Sequence, residues 1–149
     1  MTRLALEGGC HCGDHRYTLD WPDAGQSLPA RRCGCSYCTR FNGTWTSHPQ
    51  ARLGFRRRGA PPRRYRFGTG TADFLSCRRC GVTFAAVDGE GSARVGIINV
   101  NTLDQHPGKQ GGNGPAWELS NSDFDGEAVS DRRARRRQNW CGRVTGLEG

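Results

Sequence analysis

The chain has 149 residues, a formal net charge of +8, 34% hydrophobic residues and a mean hydropathy of −0.74. That is one domain with a thin apolar core, which needs cross-links to hold it, and eight cysteines are present to supply them. No apolar run approaches the ~20 residues of a membrane span, and residues 1–6 are too short for the apolar stretch of a secretion signal, so a cytoplasmic protein is expected.

In chain order, residues 16–21 alternate like a half-buried strand, with Tyr17, Leu19 and Trp21 on one face. Turn residues run from Pro22 to Pro29 and again from Gly59 to Pro62. In 64–67, Tyr65 and Phe67 are expected to face inward and Arg64 and Arg66 outward. Residues 82–87 and 95–100 are apolar and partly β-branched, which marks core strands, with a turn at 88–92 between them. The 22 glycines and 7 prolines suit short strands joined by turns. A domain over 5–104, a loop over 105–122 and a basic helical tail over 123–141 are expected. Within that tail the helix spans about 127–139, acids first and arginines last, as the helix dipole prefers. Val129 and Trp140 lie about three turns apart, so both are expected to touch the body.

Of the 22 basic residues, Lys109 is the only lysine. Residues 51–79 hold nine arginines against one acid, Asp73. The plainest reading is a solvated strand edge, where charge discourages edge pairing; an anionic ligand is the second reading. Nucleic acid is the least favoured, because no aromatic interleaving of an RNA-binding kind accompanies the charge.

The cysteines carry the chemistry. They fall as Cys10-x-Cys12, Cys33-x-Cys35-x2-Cys38, Cys77-x2-Cys80 and a lone Cys141. Close pairs in a chain without a secretion signal favour a metal clamp over disulfides, and tetrahedral zinc is the default ion. The two doublets supply four sulfurs, a closed site that stabilises and does no chemistry. Gly13 and Gly81 follow them and suit tight turns. The triplet supplies three sulfurs. Its fourth position is open or water-filled, the mark of a catalytic or ligand-binding ion, or else closed by His48 or by Cys141. His11 and His15 read as packing groups beside the first doublet. A thiophilic open site among arginines (Arg31, Arg32 and Arg40, with Arg78 and Arg79 as further candidates) points to a small anionic thiol.

The run Gly8-Gly9-Cys10-His11-Cys12-Gly13, then Cys33-Gly34-Cys35-Ser36-Tyr37-Cys38-Thr39-Arg40 with Gly43, then Cys77-Arg78-Arg79-Cys80-Gly81, resembles the glutathione-dependent formaldehyde-activating enzyme family, also called the GFA or CENP-V family. The segment from Val95 to Asp104 resembles that family's last core strand, and the motifs cover about residues 5–104. The resemblance implies a mainly β, Mss4-like (β-tent) fold stapled by zinc, here with a short C-terminal helix. It implies two zinc ions, a structural one on Cys10, Cys12, Cys77 and Cys80 and a catalytic one on Cys33, Cys35 and Cys38. The implied activity is S-(hydroxymethyl)glutathione synthesis, a carbon–sulfur lyase reaction in reverse, with a glutathione-like thiol and an aldehyde as partners. His48 is the candidate acid, and Arg32 and Arg40 are the candidate substrate-binding arginines. A non-catalytic zinc module that binds a thiol, and an interaction protein with two structural zincs, are the competing classes.

Overall fold

The computed structural model describes residues 3–23, 27–105 and 115–147. It is mainly β with one helix: β1 (Leu4–Gly9), β2 (His15–Trp21), β3 (Leu28–Cys33), β4 (Thr44–Thr46), β5 (Arg52–Arg57), β6 (Arg63–Tyr65), β7 (Asp73–Ser76), β8 (Thr83–Asp88), β9 (Val95–Asn99), β10 (Trp117–Ser122), α1 (Val129–Asn139) and β11 (Arg143–Thr145). Two sheets form, a smaller one in the order β1-β2-β5-β11 and a larger one in the order β10-β3-β4-β9-β8-β7-β6. Pairing is antiparallel except where the late strands β10 and β11 join β3 and β5 in parallel. No helix among the described residues is long and apolar enough to cross a membrane.

The alternation in β2 is realised fully: Tyr17, Leu19 and Trp21 are buried while Arg16, Thr18 and Asp20 are half-exposed. They form a first core with Leu6, Leu28, Leu53, Phe84 and Ile98. A second core, built on Trp45, Ala86, Val95, Ile97 and Trp140, includes Cys35 and Cys38. Successive β9 residues Ile97 and Ile98 enter different cores, so this central strand is covered on both faces. That is why 95–100 reads as a continuous apolar run rather than an alternating one.

Four expectations need correction. The segment 117–122, expected as loop, is strand β10 and lies in register along β3, from Trp117 opposite Leu28 to Ser122 opposite Cys33. Residues 106–114 of that expected loop lie outside the described residues. The turn expected up to Pro29 ends earlier, because Leu28 and Pro29 already belong to β3. Tyr65 does not face inward: β6 is an edge strand, and the ring is 47% exposed, packed against Tyr37 and Phe67. Val129 is 45% exposed and does not anchor the helix.

What anchors α1 is charge. Arg136 is buried; its Nη1 donates to Asp88 Oδ2 at 2.9 Å and to Thr71 Oγ1 at 2.8 Å, and its guanidinium lies 4.9 Å from the centre of the Trp140 ring. Arg133, on the rim, reaches the other oxygen of Asp88 at 3.5 Å. Removing one member of a buried pair strands the other, whereas a rim pair is screened by water. Arg136→Ala is therefore expected to lower the free energy of unfolding by about 3 kcal/mol, and Arg133→Ala by less than ~1 kcal/mol. Urea denaturation of the two variants checks this ranking.

Candidate metal centres and the cavity beside them

The first cysteine group forms where two hairpin loops meet. Cys10 and Cys12 lie in the loop between β1 and β2, and Cys77 and Cys80 in the loop between β7 and β8. Gly13 and Gly81, the residues after each doublet, have φ of +87° and +81°, a left-handed conformation that lets each loop turn back without a Cβ clash. Backbone amides point at the sulfurs: His15 N–H donates to Cys10 Sγ at 3.3 Å, and Arg79 and Cys80 N–H donate to Cys77 Sγ at 3.3 and 3.4 Å. The Cys12 sulfur is 3.7 Å from that of Cys10 and 3.6 Å from that of Cys77. Thiolates bound at ~2.3 Å to a tetrahedral ion sit about 3.8 Å apart, so the four sulfurs fit a closed metal site, all within 4.8 Å of one another. His15 is buried and stacked on Phe84, with ring centres 5.1 Å apart. His11 is exposed.

The second group starts at the last residue of β3. Cys33, Cys35 and Cys38 gather their sulfurs within 4.8 Å of one another, a three-sulfur set that can hold a second ion. The loop is closed by Gly43 N–H on the Cys38 carbonyl at 2.8 Å and Cys33 N–H on the Gly43 carbonyl at 3.1 Å. It is tied to β10 by Gly34 N–H on the Ser122 carbonyl at 2.7 Å. Crowding separates the thiols electrostatically. The hydrogen bond from Cys38 is the main cause that lowers the Cys33 thiol to about 6, against the opposing effect of burial. The same contact, with burial, pushes Cys38 up. All eight cysteines are free thiols.

The triplet borders a cavity of about 560 Å³. Trp45, Phe67, Phe74 and Ile97 give it an apolar wall. The C-terminal tail gives it a charged one: Asp125, Glu127, Arg132, Arg135 and Arg136 line it beside the rings of Phe124 and Trp140, with Arg31 from β3. Arg135 grips Glu127 through three hydrogen bonds of 3.0–3.2 Å, with its guanidinium 3.5 Å from the centre of the Phe124 ring. This ion pair holds the Glu127 carboxyl below its usual range. Arg132 Nη2 donates to the carbonyls of Phe124 and Glu127, while its buried Nε has no hydrogen-bond partner.

The other candidate residues lie elsewhere. His48 does not border the cavity: its ring packs edge-on against Trp21, and Nδ1 accepts the Gln50 N–H at 3.0 Å. Cys141 is fully buried in the first core and bridges Gly96 through the backbone, and burial pushes its thiol up to about 11. Neither joins the triplet. Arg40 is exposed at the end of a 3-10 turn. Arg32 is exposed on a second, open hollow of about 430 Å³ with Asn42, Asn121 and Asp123, which meets the first at Cys33 and Ser122. Strand alternation separates the two arginines: Arg31 and Cys33 are two apart on β3 and share a face, while Arg32 points the other way. Arg79 pairs with Asp14, and Arg78 donates to the Pro61 carbonyl, both remote from the cavity. In the basic stretch, Arg56 pairs with Glu7, Arg58 with Asp14, and Arg64 and Arg66 with Asp73, and none of them lines the cavity. The tail arginines were visible in the sequence only as a charge run. Nothing there showed that they roof the triplet.

No family model and no curated protein matches the chain. Among solved structures, the crystal structure of a Rhodobacter sphaeroides protein, a Northeast Structural Genomics target, is similar, with 27% identity over 75% of this chain and 99% of that one and a TM-score of 0.52.

The two sulfur sets differ in what their loss does. The first ties together two hairpin loops, and the second borders a cavity. Cys77→Ser is expected to lose metal and unfold, whereas Cys35→Ser is expected to stay folded and retain one ion of two. Metal counting by atomic emission and circular dichroism of both variants check this; equal collapse of the two would contradict it.

Proposed function

We propose that the protein is a zinc-dependent carbon–sulfur lyase of the S-(hydroxymethyl)glutathione synthase type, which joins a small anionic thiol such as glutathione to formaldehyde or a related aldehyde. The observation that carries this reading is the three-sulfur set opening on a cavity with arginines on its charged wall. On this reading both ions are zinc, a structural one on Cys10, Cys12, Cys77 and Cys80 and a working one on Cys33, Cys35 and Cys38. The chemistry the working ion supplies when bound is Lewis acidity, which draws the proton from a thiol whose free pKa is near ~8.5.

The chain's own residues do the rest. The arginines receive the thiol's carboxylates, bidentately where the fork fits. Trp45, Phe67 and Phe74 form the dry side of the cavity, where charge interactions are stronger than in water. The thiol sulfur forms a bond to the carbonyl carbon, and the carbonyl oxygen takes up a proton. His48 lies away from the cavity, so that proton comes from solvent, and most of the acceleration rests on holding the two reactants together. Among the described residues no histidine lines the cavity, which also favours a second reading, a module that binds a thiol without turnover. Eight free thiols suit the reducing cytoplasm.

Calorimetric titration of the zinc-loaded chain with glutathione is expected to show one binding event per chain, lost in Cys35→Ser. Adding formaldehyde and following S-(hydroxymethyl)glutathione by proton NMR is expected to show formation faster than the uncatalysed rate. Binding without acceleration selects the non-catalytic module. Absence of binding overturns both readings.

A further inference from the structure

The cavity's arginines differ in what already holds them. Arg136 is matched by Asp88, and Arg135 by Glu127. Arg132 is occupied by two backbone carbonyls. Arg31 has much less. Its Nη2 donates to the Ser47 hydroxyl at 2.6 Å, and that hydroxyl in turn donates to the Asn139 carbonyl at 2.7 Å. No carboxylate lies within ion-pair distance of Arg31 among the described residues. Arg31 is half-buried and shares the cavity wall with Arg135. A guanidinium held partly out of water beside another cation, without a counter-ion of its own, is a costly arrangement unless something that enters the cavity completes it. Two further groups point the same way: the buried Nε–H groups of Arg132 and Arg136, on the same cavity, have no acceptor.

Position supports this. Arg31 and Cys33 stand two residues apart on β3, and both line the cavity. Resting on the thiol reading above, we propose that Arg31 is the anion seat of this cavity and selects thiols that also carry a carboxylate. Arg31 is a binding and specificity residue; it takes no part in bond making. The neighbouring Arg32, on the opposite face, has no such role.

The test uses the zinc-loaded full chain and three probes: 3-mercaptopropionate, which has thiol and carboxylate; 3-mercaptopropan-1-ol, which has the thiol alone; and propionate, which has the carboxylate alone. By calorimetry the wild type is expected to bind the acid thiol about ten- to a hundredfold more tightly than the alcohol, the range of a charge-assisted hydrogen bond. Arg31→Gln is expected to bring that ratio close to one with the alcohol's affinity unchanged. Arg31→Lys is expected to keep part of the ratio, which guards against a folding defect in the glutamine variant, and Arg32→Gln is expected to keep all of it. A ratio that survives Arg31→Gln overturns the proposal. So does a fall in zinc content with the ratio intact, because Arg31 would then only balance the thiolates. If the wild type binds no alcohol thiol, the thiol reading fails by itself. Propionate binding that disappears in Arg31→Gln would still identify the anion seat, and its persistence would remove it.

Discussion

The closure of four sulfurs between two distant hairpin loops is the constraint on which the rest of the molecule depends. Cys12 and Cys77 are 65 positions apart and stand sulfur to sulfur at 3.6 Å. With only 34% hydrophobic residues, the chain has little apolar surface to offset the entropy of ordering its strands. An ion at that junction would contribute binding free energy directly to folding. It would also fix β1–β2 against β7–β8 at one end of the first core. The amide groups aimed at Cys10 and Cys77 show how the loops are shaped for charged sulfur: each N–H that points at a thiolate spreads its charge over the backbone.

The second sulfur set has a different setting. It stands at the start of a loop that packs through Tyr37 against Phe67 and Phe74 and is tied to Ser122 on β10, late in the chain. The larger sheet supplies the dry wall and the tail supplies the charge. Within that charge, pairing is uneven. Asp88 and Glu127 each neutralise one arginine, while Arg31 has no carboxylate partner and the Nε–H groups of Arg132 and Arg136 keep hydrogen-bonding capacity that the protein itself does not use. The result is a cavity that is positive at chosen points rather than everywhere, which favours a specific anion over loose association with polyanions.

The sulfur sets could be read directly from the sequence because a metal clamp needs its ligands at short spacing in turns, and Gly13 and Gly81 marked those turns. β2 was legible from Tyr17, Leu19 and Trp21, and β9 from its apolar run. β10 was not, since Trp-Glu-Leu-Ser-Asn-Ser has Leu119 63% exposed and earns its place through backbone pairing with β3. Tyr65 misled because alternation marks the two faces of a strand but not whether the strand is an edge. The inward side of α1 was hidden for a related reason. Its buried residue is Arg136, and that is tolerable only because Asp88, 48 positions earlier, meets it. Which of Arg31 and Arg32 lines the larger cavity depends on the exact registration of β3, which composition does not specify.

The helix over the cavity is moored in both sheets. β10 leads into it from the larger sheet, and β11 leaves it for the smaller one, with Cys141 stitched to Gly96 on the way. An element tied at both ends has no free terminus about which to swing, so the slot beneath it is expected to be shaped before a guest arrives. Recognition in such a slot relies on preorganisation: little ordering entropy is lost on entry, and misfits are rejected by rigid walls rather than accommodated by closure.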